Sequence, residues 1–295
     1  MQDNTNNQLV SDVVRHKIEA AAEDRQRPDQ SPYRALLFSE ELRLARESGH
    51  SHREIQLAAL AMQIVPERYA RNQKILSCED QIRLLNSHAV VVGQGGLGGT
   101  VTEILARIGV GKLTLVDGDH FEDSNLNRQL LSSTDVLGQM KAEVGARRVT
   151  SINPAVETRC ITSFFTEENG EEIIGEAGIA VDCLDTISAR FVLEEACRRK
   201  QIPMVSAAIG GASGQATVIL PGDPGLKLVY GNPDTAPKKG GEASLGTLPY
   251  AAVAMAAFEC AEVVGLAINR PAQLRKKLFL ADFHHLSSET LILAD

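Results

Sequence analysis

The first 64 residues carry many polar and charged positions and few aromatic ones. Apolar residues recur there at helical spacing in three patches, which predict helices over residues 12–24, 39–47 and 52–62. The third patch opens with Ser51 and Glu54 at capping-box spacing, which would satisfy free N–H groups at the start of a helix. We therefore predict a helical N-terminal extension over residues 1–64, and its simplest role is packing or dimerisation.

From residue 88 onward, short apolar runs alternate with helical segments. The run HAVVV at 88–92 is typical of a strand buried on both faces of a parallel sheet. The alternation predicts an α/β fold over residues 65–295, with a doubly wound, mainly parallel (Rossmann-like) sheet. The predicted strands after the first are 113–116, 156–161, 179–183 and 204–207, and the intervening helices end near 108 or span 137–150, 167–174 and 187–200.

The pattern changes beyond residue 211. Two strands at 215–220 and 226–230 are predicted on either side of a Pro/Gly-rich turn, and a loop without periodicity follows at 231–247. A long apolar helix at 249–268 and two closing strands at 278–282 and 290–293 complete an antiparallel C-terminal part. The helix contains Glu259 and Glu262, so we interpret it as a packed helix and not as a membrane span.

Charge and cysteine content argue against several classes of protein for this sequence, among them nucleic-acid-binding, membrane-binding and zinc-binding proteins. A net charge of −8 provides no basic surface for nucleic acid or an anionic membrane, so we expect neither partner. The N-terminus lacks the pattern of a secretory signal, and we expect a cytoplasmic protein. The five cysteines contain no C-x-x-C pair, so we expect neither a disulfide framework nor a zinc site.

A glycine-rich turn follows the first strand of the predicted sheet and opens a helix. Its glycines Gly93, Gly95 and Gly98 fit G-x-G-x-x-G, and Gly96 lies between them. Such a turn lets phosphate approach the backbone at a helix N-terminus. Asp117 follows the next strand, where it would bind a ribose hydroxyl. Alone, this signature indicates NAD or FAD binding most often, or only a close-packed turn.

The residues that follow favour ATP over a dinucleotide. ATP carries about four negative charges, which must be neutralised when the bond between its α and β phosphates is cleaved. Donors and two positive charges follow Asp117 and Asp119 in the sequence, supplied by Asn125, Arg128, Gln129 and Lys141. Asp185, at the end of the fourth strand, is the natural Mg²⁺ ligand, although it also suits the N-cap of the next helix.

Five motifs occur in one order: GxGGLGG, LVDGD, SNLNRQ, GQxK and DCLD. Together they resemble the HesA/MoeB/ThiF family, the bacterial relatives of ubiquitin-activating enzymes, over about 230 residues from Val65. The resemblance implies an ATP- and Mg²⁺-dependent adenylyltransferase acting on the C-terminal carboxylate of a small ubiquitin-like sulfur-carrier protein of the MoaD/ThiS type.

The resemblance also implies roles for single residues. Asp117 would hold the ribose and Asp185 the Mg²⁺. Arg71, in a segment similar to the family's entry motif, would reach into the active site of a partner subunit, which implies a homodimer. The phosphates would be held by Asn125, Arg128, Gln129 and Lys141.

The chain departs from the family pattern in two places. It lacks the two C-x-x-C pairs that bind structural zinc in many members, and the loop at 231–247 contains no cysteine. We therefore expect adenylation without covalent transfer to this protein. The alternatives are adenylation of a small or tRNA-linked carboxylate, as in a threonylcarbamoyladenosine dehydratase, an NAD-dependent oxidoreductase, and a non-catalytic binding module.

Overall fold

The computed structural model describes residues 10–237, 240 and 242–293. The outermost residues of the two predicted domains, 1–9 and 294–295, lie outside this range. The N-terminal part contains the three predicted helices, and Ser51 and Glu54 form the predicted capping box. Its elements are α1 (Asp12–Ala21), β1 (Glu23–Gln26), β2 (Pro32–Leu36), α2 (Phe38–Ser48), α3 (His52–Ala61) and β3 (Ile64–Pro66).

A small sheet accompanies the N-terminal helices, and the sequence pattern does not predict it. Its order is β1-β2-β3, with β1 antiparallel and β3 parallel to β2. Strands of three to five residues are too short to show a clear period of two. The helices and this sheet enclose a separate apolar cluster that includes Ile18, Leu44 and Ile55.

The larger part of the chain forms an eight-stranded sheet covered by helices. Its strands are β4 (His88–Val92), β5 (Lys112–Val116), β6 (Glu157–Ile161), β7 (Ile179–Asp182), β8 (Met204–Gly210), β9 (Ser213–Ile219), β10 (Lys277–Asp282) and β11 (Ser287–Ile292). Its helices are α4 (Cys78–Leu85), α5 (Gly96–Ile108), α6 (Lys141–Ile152), α7 (Gly170–Ile174), α8 (Ile187–Lys200), α9 (Lys227–Tyr230), α10 (Glu242–Leu245) and α11 (Pro249–Ala267).

The strand order is β11-β10-β9-β8-β7-β4-β5-β6. The five strands from β6 to β8 run parallel, and β9, β10 and β11 add in antiparallel fashion. Alternate residues of β4 serve the two faces: Val91 packs in the cluster under α5 and α11, and Val90 packs in the cluster under α7 and α8. The predicted doubly wound sheet with antiparallel C-terminal strands is confirmed.

The strand predicted at 226–230 is wrong. Lys227–Tyr230 forms the short helix α9, and the N–H of Leu226 donates to the buried carboxylate of Glu194 at 3.1 Å. A four-residue apolar run fits one helical turn as well as a strand, so periodicity alone does not separate them. Two predicted helices also begin late, at Lys141 and Gly170.

The apolar helix α11 has the length and composition of a membrane span. It packs against α5 and β8, and Met255 and Cys260 lie in the core. Both of its glutamates are buried inside the protein, and Glu262 accepts hydrogen bonds from the backbone of the segment before β10. These contacts are those of the core helix predicted from the sequence.

A chain of hydrogen bonds, partly buried at His52 and buried beyond it, joins the N-terminal part to the large sheet domain. His52 Nδ1 lies 2.7 Å from Glu41 Oε1, and Gln56 Nε2 donates to both oxygens of Glu41 at 3.1 Å. Tyr69 donates its hydroxyl proton to Gln56 Oε1 at 3.0 Å. The same hydroxyl accepts from Asn153 Nδ2 at 2.9 Å, at the end of α6. The two parts therefore share one polar interior.

Candidate nucleotide site

A cavity of about 370 Å³ lies at the edge of the sheet where the parallel strands end at their carboxyl termini. In open α/β sheets this edge is where ligands bind. Nine of the twelve predicted site residues line the cavity: Gly93, Gly95, Gly96, Asp117, Asp119, Arg128, Gln129, Lys141 and Asp185. The other three, Arg71, Gly98 and Asn125, do not.

The glycine turn between β4 and α5 requires glycine for steric reasons. Gly93 has a φ of +94°, and a Cβ there would lie 2.5 Å from the carbonyl oxygen of Cys183. A Cβ at Gly98 would overlap the carbonyl oxygen of Gly93. Gly98 therefore allows α5 to pack on the turn and does not itself face the cavity. Gln94, which the sequence reasoning overlooked, is fully buried and accepts from Thr102 at 2.9 Å.

Asp117 is held in place by backbone donors. Its two carboxylate oxygens accept from the N–H groups of Gln94 at 2.7 Å and Asp119 at 2.8 Å. Burial raises the pKa of this carboxyl group, and the two backbone hydrogen bonds oppose that rise. The side chain thus links the glycine turn to the end of β5, where the sequence predicts ribose binding.

The predicted cationic residues Arg128 and Lys141 both line the cavity. The Arg128 guanidinium is held by the carbonyl of Ser124 at 2.8 Å and by Asn127 Oδ1 at 2.9 Å. Lys141, at the first position of α6, is nearly buried, and its ammonium group lies 3.4 Å from Asp119 Oδ2. Gln129 is also buried, and its Oε1 has no hydrogen-bond partner among the described residues. An unpartnered buried oxygen at a cavity wall is suited to meet a ligand.

Asn125 and Arg71 lie outside the cavity. The Oδ1 of Asn125 accepts from the N–H of Glu122 at 3.1 Å, so its side chain closes the turn that carries Arg128. Arg71 is exposed in the segment between β3 and α4. Neither position tests the phosphate role of Asn125 or the proposed action of Arg71 in a partner subunit.

The two carboxylates of the segment Asp182–Asp185 have different environments. Asp182 is fully buried and paired with Arg190 at 2.9 Å. Asp185 is exposed at the cavity wall. The alternative role of Asp185 as a helix N-cap is wrong, because Thr186 is the N-cap of α8 and its side chain accepts from the N–H of Ala189.

Part of the cavity wall is not predicted from the sequence. It is formed by Ser163, Phe164 and Phe165. These residues follow β6, and Phe164 is 63% exposed although it lines the cavity. They contain no motif and no charge. Their only sequence signal is their position after a predicted strand of the parallel sheet.

Comparison with known proteins agrees with this geometry. Residues 69–294 match the model of the ThiF family. The chain belongs to the ThiF family. It is 33% identical over 230 residues to a SAMP-activating enzyme E1 of Haloferax volcanii, an alignment that covers 76% of this chain and 84% of the relative.

Other similarities are more distant or partial. An adenylyltransferase and sulfurtransferase MOCS3 of Drosophila ananassae is 35% identical over 204 residues, which cover 67% of this chain and 45% of that protein. The crystal structure of E. coli MccB with AMPCPP and MccA superposes with a TM-score of 0.65 and 23% identity. That superposition covers 77% of this chain and 71% of MccB, and it supports the fold alone.

The thiols of this ThiF-family chain are poor nucleophiles. Burial raises the pKa of all five, Cys183 at the cavity wall included. Cys183 donates to Glu259 Oε2 at 3.8 Å, and burial also raises the pKa of Glu259 well above that of an ordinary carboxylic acid. The rise in both pKa values disfavours a Cys183 thiolate and a Glu259 carboxylate that could act as its base.

A magnesium ion fits the cavity better than a fully protein-bound metal does. Within residues 10–237, 240 and 242–293, no cluster of three or more His, Cys, Asp or Glu side chains is arranged to hold a metal ion. Mg²⁺ needs only one or two carboxylates when phosphates and waters complete its shell. Asp185 supplies one hard oxygen ligand facing the cavity.

Proposed function

We propose that this chain uses ATP and Mg²⁺ to adenylate the C-terminal carboxylate of a small ubiquitin-like sulfur-carrier protein of the MoaD/ThiS type. The main support is that one cavity brings together the glycine turn, the cations Arg128 and Lys141, and the exposed carboxylate of Asp185. The names of two relatives, an activating enzyme E1 and an adenylyltransferase, support the same reaction class.

In this proposal ATP spans the cavity from one side to the other. Its triphosphate lies at the phosphate end, which comprises Gly95, Gly96, Arg128, Lys141 and Asp185. Its ribose meets Asp117, and its adenine lies at the base end, formed by Gly118, Ser163, Phe164 and Phe165. This direction follows the order of strand ends, because β4 carries the glycine turn, β5 carries Asp117 and β6 precedes Phe164.

The charges of the cavity explain why a divalent cation is required. Two cations, Arg128 and Lys141, face three carboxyl groups, those of Asp117, Asp119 and Asp185. ATP would add about four negative charges, so the side chains alone do not neutralise it. Mg²⁺ held by Asp185 would supply positive charge between the protein and the phosphates.

The reaction needs positioning and charge stabilisation more than proton transfer. A carboxylate oxygen of the carrier attacks the α-phosphorus, the bond to the bridging oxygen of the β-phosphate breaks, and pyrophosphate leaves with that electron pair. The attacking group is already ionised at neutral pH, so no general base is needed. Arg128 and Lys141 stabilise the charge that accumulates on the phosphate oxygens.

ATP–pyrophosphate exchange tests the function directly. Purified protein with Mg²⁺ is mixed with each carrier protein that ends in Gly-Gly, and with none. Exchange that requires one carrier, and that is lost in Asp185→Ala, is the expected result. Exchange with a small or tRNA-linked carboxylate in place of every carrier would redirect the substrate assignment, and ATP binding without any exchange would favour a binding module.

We also propose a cytoplasmic homodimer in which Arg71 acts in the neighbouring subunit. The support is that Arg71 is exposed and outside the cavity of its own chain. Arg71→Ala and Asp185→Ala are each expected to be inactive alone. Mixing the two after subunit exchange should restore exchange activity, because one mixed site contains both native residues. A monomer in light scattering, or no recovery in the mixture, would contradict the proposal.

A further inference from the structure

Arg190 is a buried arginine beneath the cavity that does not line it. Its side chain is 3% exposed and lies in the second turn of α8. The Nη1 group donates to Asp182 Oδ2 at 2.9 Å and to the carbonyl of Ala207 at 2.6 Å. The Nη2 group donates to the carbonyl of Leu184. One guanidinium therefore binds the end of β7, the following loop and β8 together.

The loop that Arg190 holds carries Asp185. Asp182 Oδ1 accepts from the N–H of Leu184 at 3.1 Å, and its Oδ2 accepts from Ser206 Oγ at 2.6 Å. Both backbone polar groups of Leu184 are thus fixed by the Asp182–Arg190 pair, directly before Asp185. The same loop abuts the glycine turn at Gly93. A shift of the loop would move Asp185 relative to the phosphate end.

Only arginine provides this set of contacts. A guanidinium presents five N–H donors in a fixed plane, so it can bind a carboxylate and two carbonyls at once. A lysine at this position would keep the positive charge opposite Asp182 but would lose the fixed fork.

We propose that Arg190 is a positioning residue: by clamping Leu184 and Asp182, it sets the place of Asp185 for the metal–nucleotide complex. This inference rests on the proposed function, since it assigns Asp185 to Mg²⁺. Arg190 itself touches neither metal nor nucleotide. The competing explanation is a buried ion pair that contributes only to stability.

The test measures metal binding apart from turnover. Mn²⁺, whose free form gives an EPR signal, is titrated into protein saturated with ATP, for the unsubstituted chain and for Arg190→Lys. We expect the apparent Kd for Mn²⁺ to rise about tenfold or more, as is typical when a residue that orients a metal ligand is replaced. The Mg²⁺ concentration for half-maximal exchange should rise in parallel, and saturating Mg²⁺ should recover most of the rate.

Arg275→Lys is the control for the loss of an arginine–aspartate pair away from the cavity. Arg275 forms a two-pronged pair with the buried carboxylate of Asp223 at 2.8–3.3 Å, away from the cavity. Because the Arg275 side chain is 47% exposed, this variant should lose less stability than Arg190→Lys, and its Mn²⁺ affinity should not change. If Arg190→Lys leaves the Mn²⁺ affinity unchanged, as Arg275→Lys should, the positioning role of Arg190 is wrong.

A milder variant decides the case if Arg190→Lys does not fold. Ser206→Ala removes one hydrogen bond to Asp182 and should weaken Mn²⁺ binding about two- to threefold. An unchanged affinity in that folded variant would overturn the inference. If the unsubstituted protein binds ATP without taking up Mn²⁺, the proposed function fails, and the inference fails with it.

Discussion

The two ends of the cavity are built in opposite ways. The phosphate end combines a glycine turn with Arg128, Lys141 and Asp185, and partly buried hydrogen bonds to Asp117 and Asp182 hold its backbone. The base end has no charged side chain, and its main surface is the exposed ring of Phe164. The contrast suggests that the phosphate end determines the rate of the reaction and that the base end determines which nucleotide binds. Single variants can test this difference.

The largest effect is expected at Lys141. Lys141→Ala removes a cation from the phosphate end, so the exchange rate should fall about 100- to 1,000-fold. Lys112→Ala is the control, because Lys112 pairs with Glu157 at 2.9 Å outside the cavity. Steady-state exchange at saturating ATP measures both. A Lys141→Ala variant as active as Lys112→Ala would remove the distinction between the two ends.

Two glycines of the same turn should respond differently to alanine. Gly98→Ala brings a methyl group into the carbonyl of Gly93, so the free energy of unfolding should fall by about 2–3 kcal/mol. Gly96→Ala meets its nearest neighbour, the Cβ of Ala252, at 3.4 Å, which is ordinary contact. It should leave the stability nearly unchanged. Urea denaturation of both variants checks the pair, and equal losses would contradict the packing role of Gly98.

The base end should control nucleotide affinity. Phe164→Ala removes the stacking surface and should raise the KM for ATP roughly 5- to 30-fold, equivalent to about 1–2 kcal/mol, while kcat changes little. Isotherms with ATP and with tripolyphosphate separate the base from the phosphates. If Phe164→Ala lowered kcat as much as Lys141→Ala, rate and nucleotide affinity would not be determined by different ends of the cavity.

The chain contains no tryptophan, so Phe164→Trp introduces a unique fluorophore. We expect ATP to quench its emission and tripolyphosphate to leave it unchanged, because only ATP brings a base against the ring. Phe38→Trp, an exposed position in the N-terminal part, serves as the silent control. ATP binding detected by calorimetry without quenching at position 164 would place the base elsewhere.

The last effect is on the pH dependence of stability and concerns Glu259, which lies behind the loop of the phosphate end. Burial raises its pKa in the folded state, so the folded chain keeps a proton that the unfolded chain releases. Stability from this group is therefore fully present below the unfolded pKa and is lost as pH rises toward the folded pKa. Glu259→Gln should remove this slope, which is at most about 1.4 kcal/mol per pH unit. Urea denaturation between pH 5 and 8 tests this, and identical slopes would be evidence against it.

Sequence reasoning grouped residues that the structure brings together at one cavity, because the chemistry proposed for the phosphate end requires particular residue types at fixed spacing. Gly95 and Asp185 each come shortly after a predicted strand, and Lys141 lies in a predicted helix. The same spacing grouped Asn125 and Gly98 with the ligand contacts, whereas the structure shows them supporting the turns from behind. A motif records which residues a site needs, and it does not separate those that face the ligand from those that hold the backbone.

The base end and the N-terminal sheet were beyond sequence reasoning for different reasons. Any apolar side chain can form the wall that Phe164 provides, so no residue pattern marks it. The strands β1, β2 and β3 have at most five residues each, and their pairing depends on contacts with helices far along the chain. In both cases the information lies in tertiary packing and not in local periodicity.

The hydrogen-bond chain from His52 to Asn153 ties the N-terminal part to the sheet domain, so the two parts are not independent modules. The family match begins at Tyr69, which suggests that the catalytic unit starts there and excludes the N-terminal part. Yet the Tyr69 hydroxyl donates to Gln56 from inside the protein, and Gln56 in turn holds the buried Glu41. A fragment starting at residue 65 would leave that hydroxyl without its acceptor and open the apolar surface around it to water. The N-terminal part has an apolar cluster of its own, but it also shares a second cluster around Tyr69 with the sheet domain. Moving the enzyme into another protein would therefore require the N-terminal part as well.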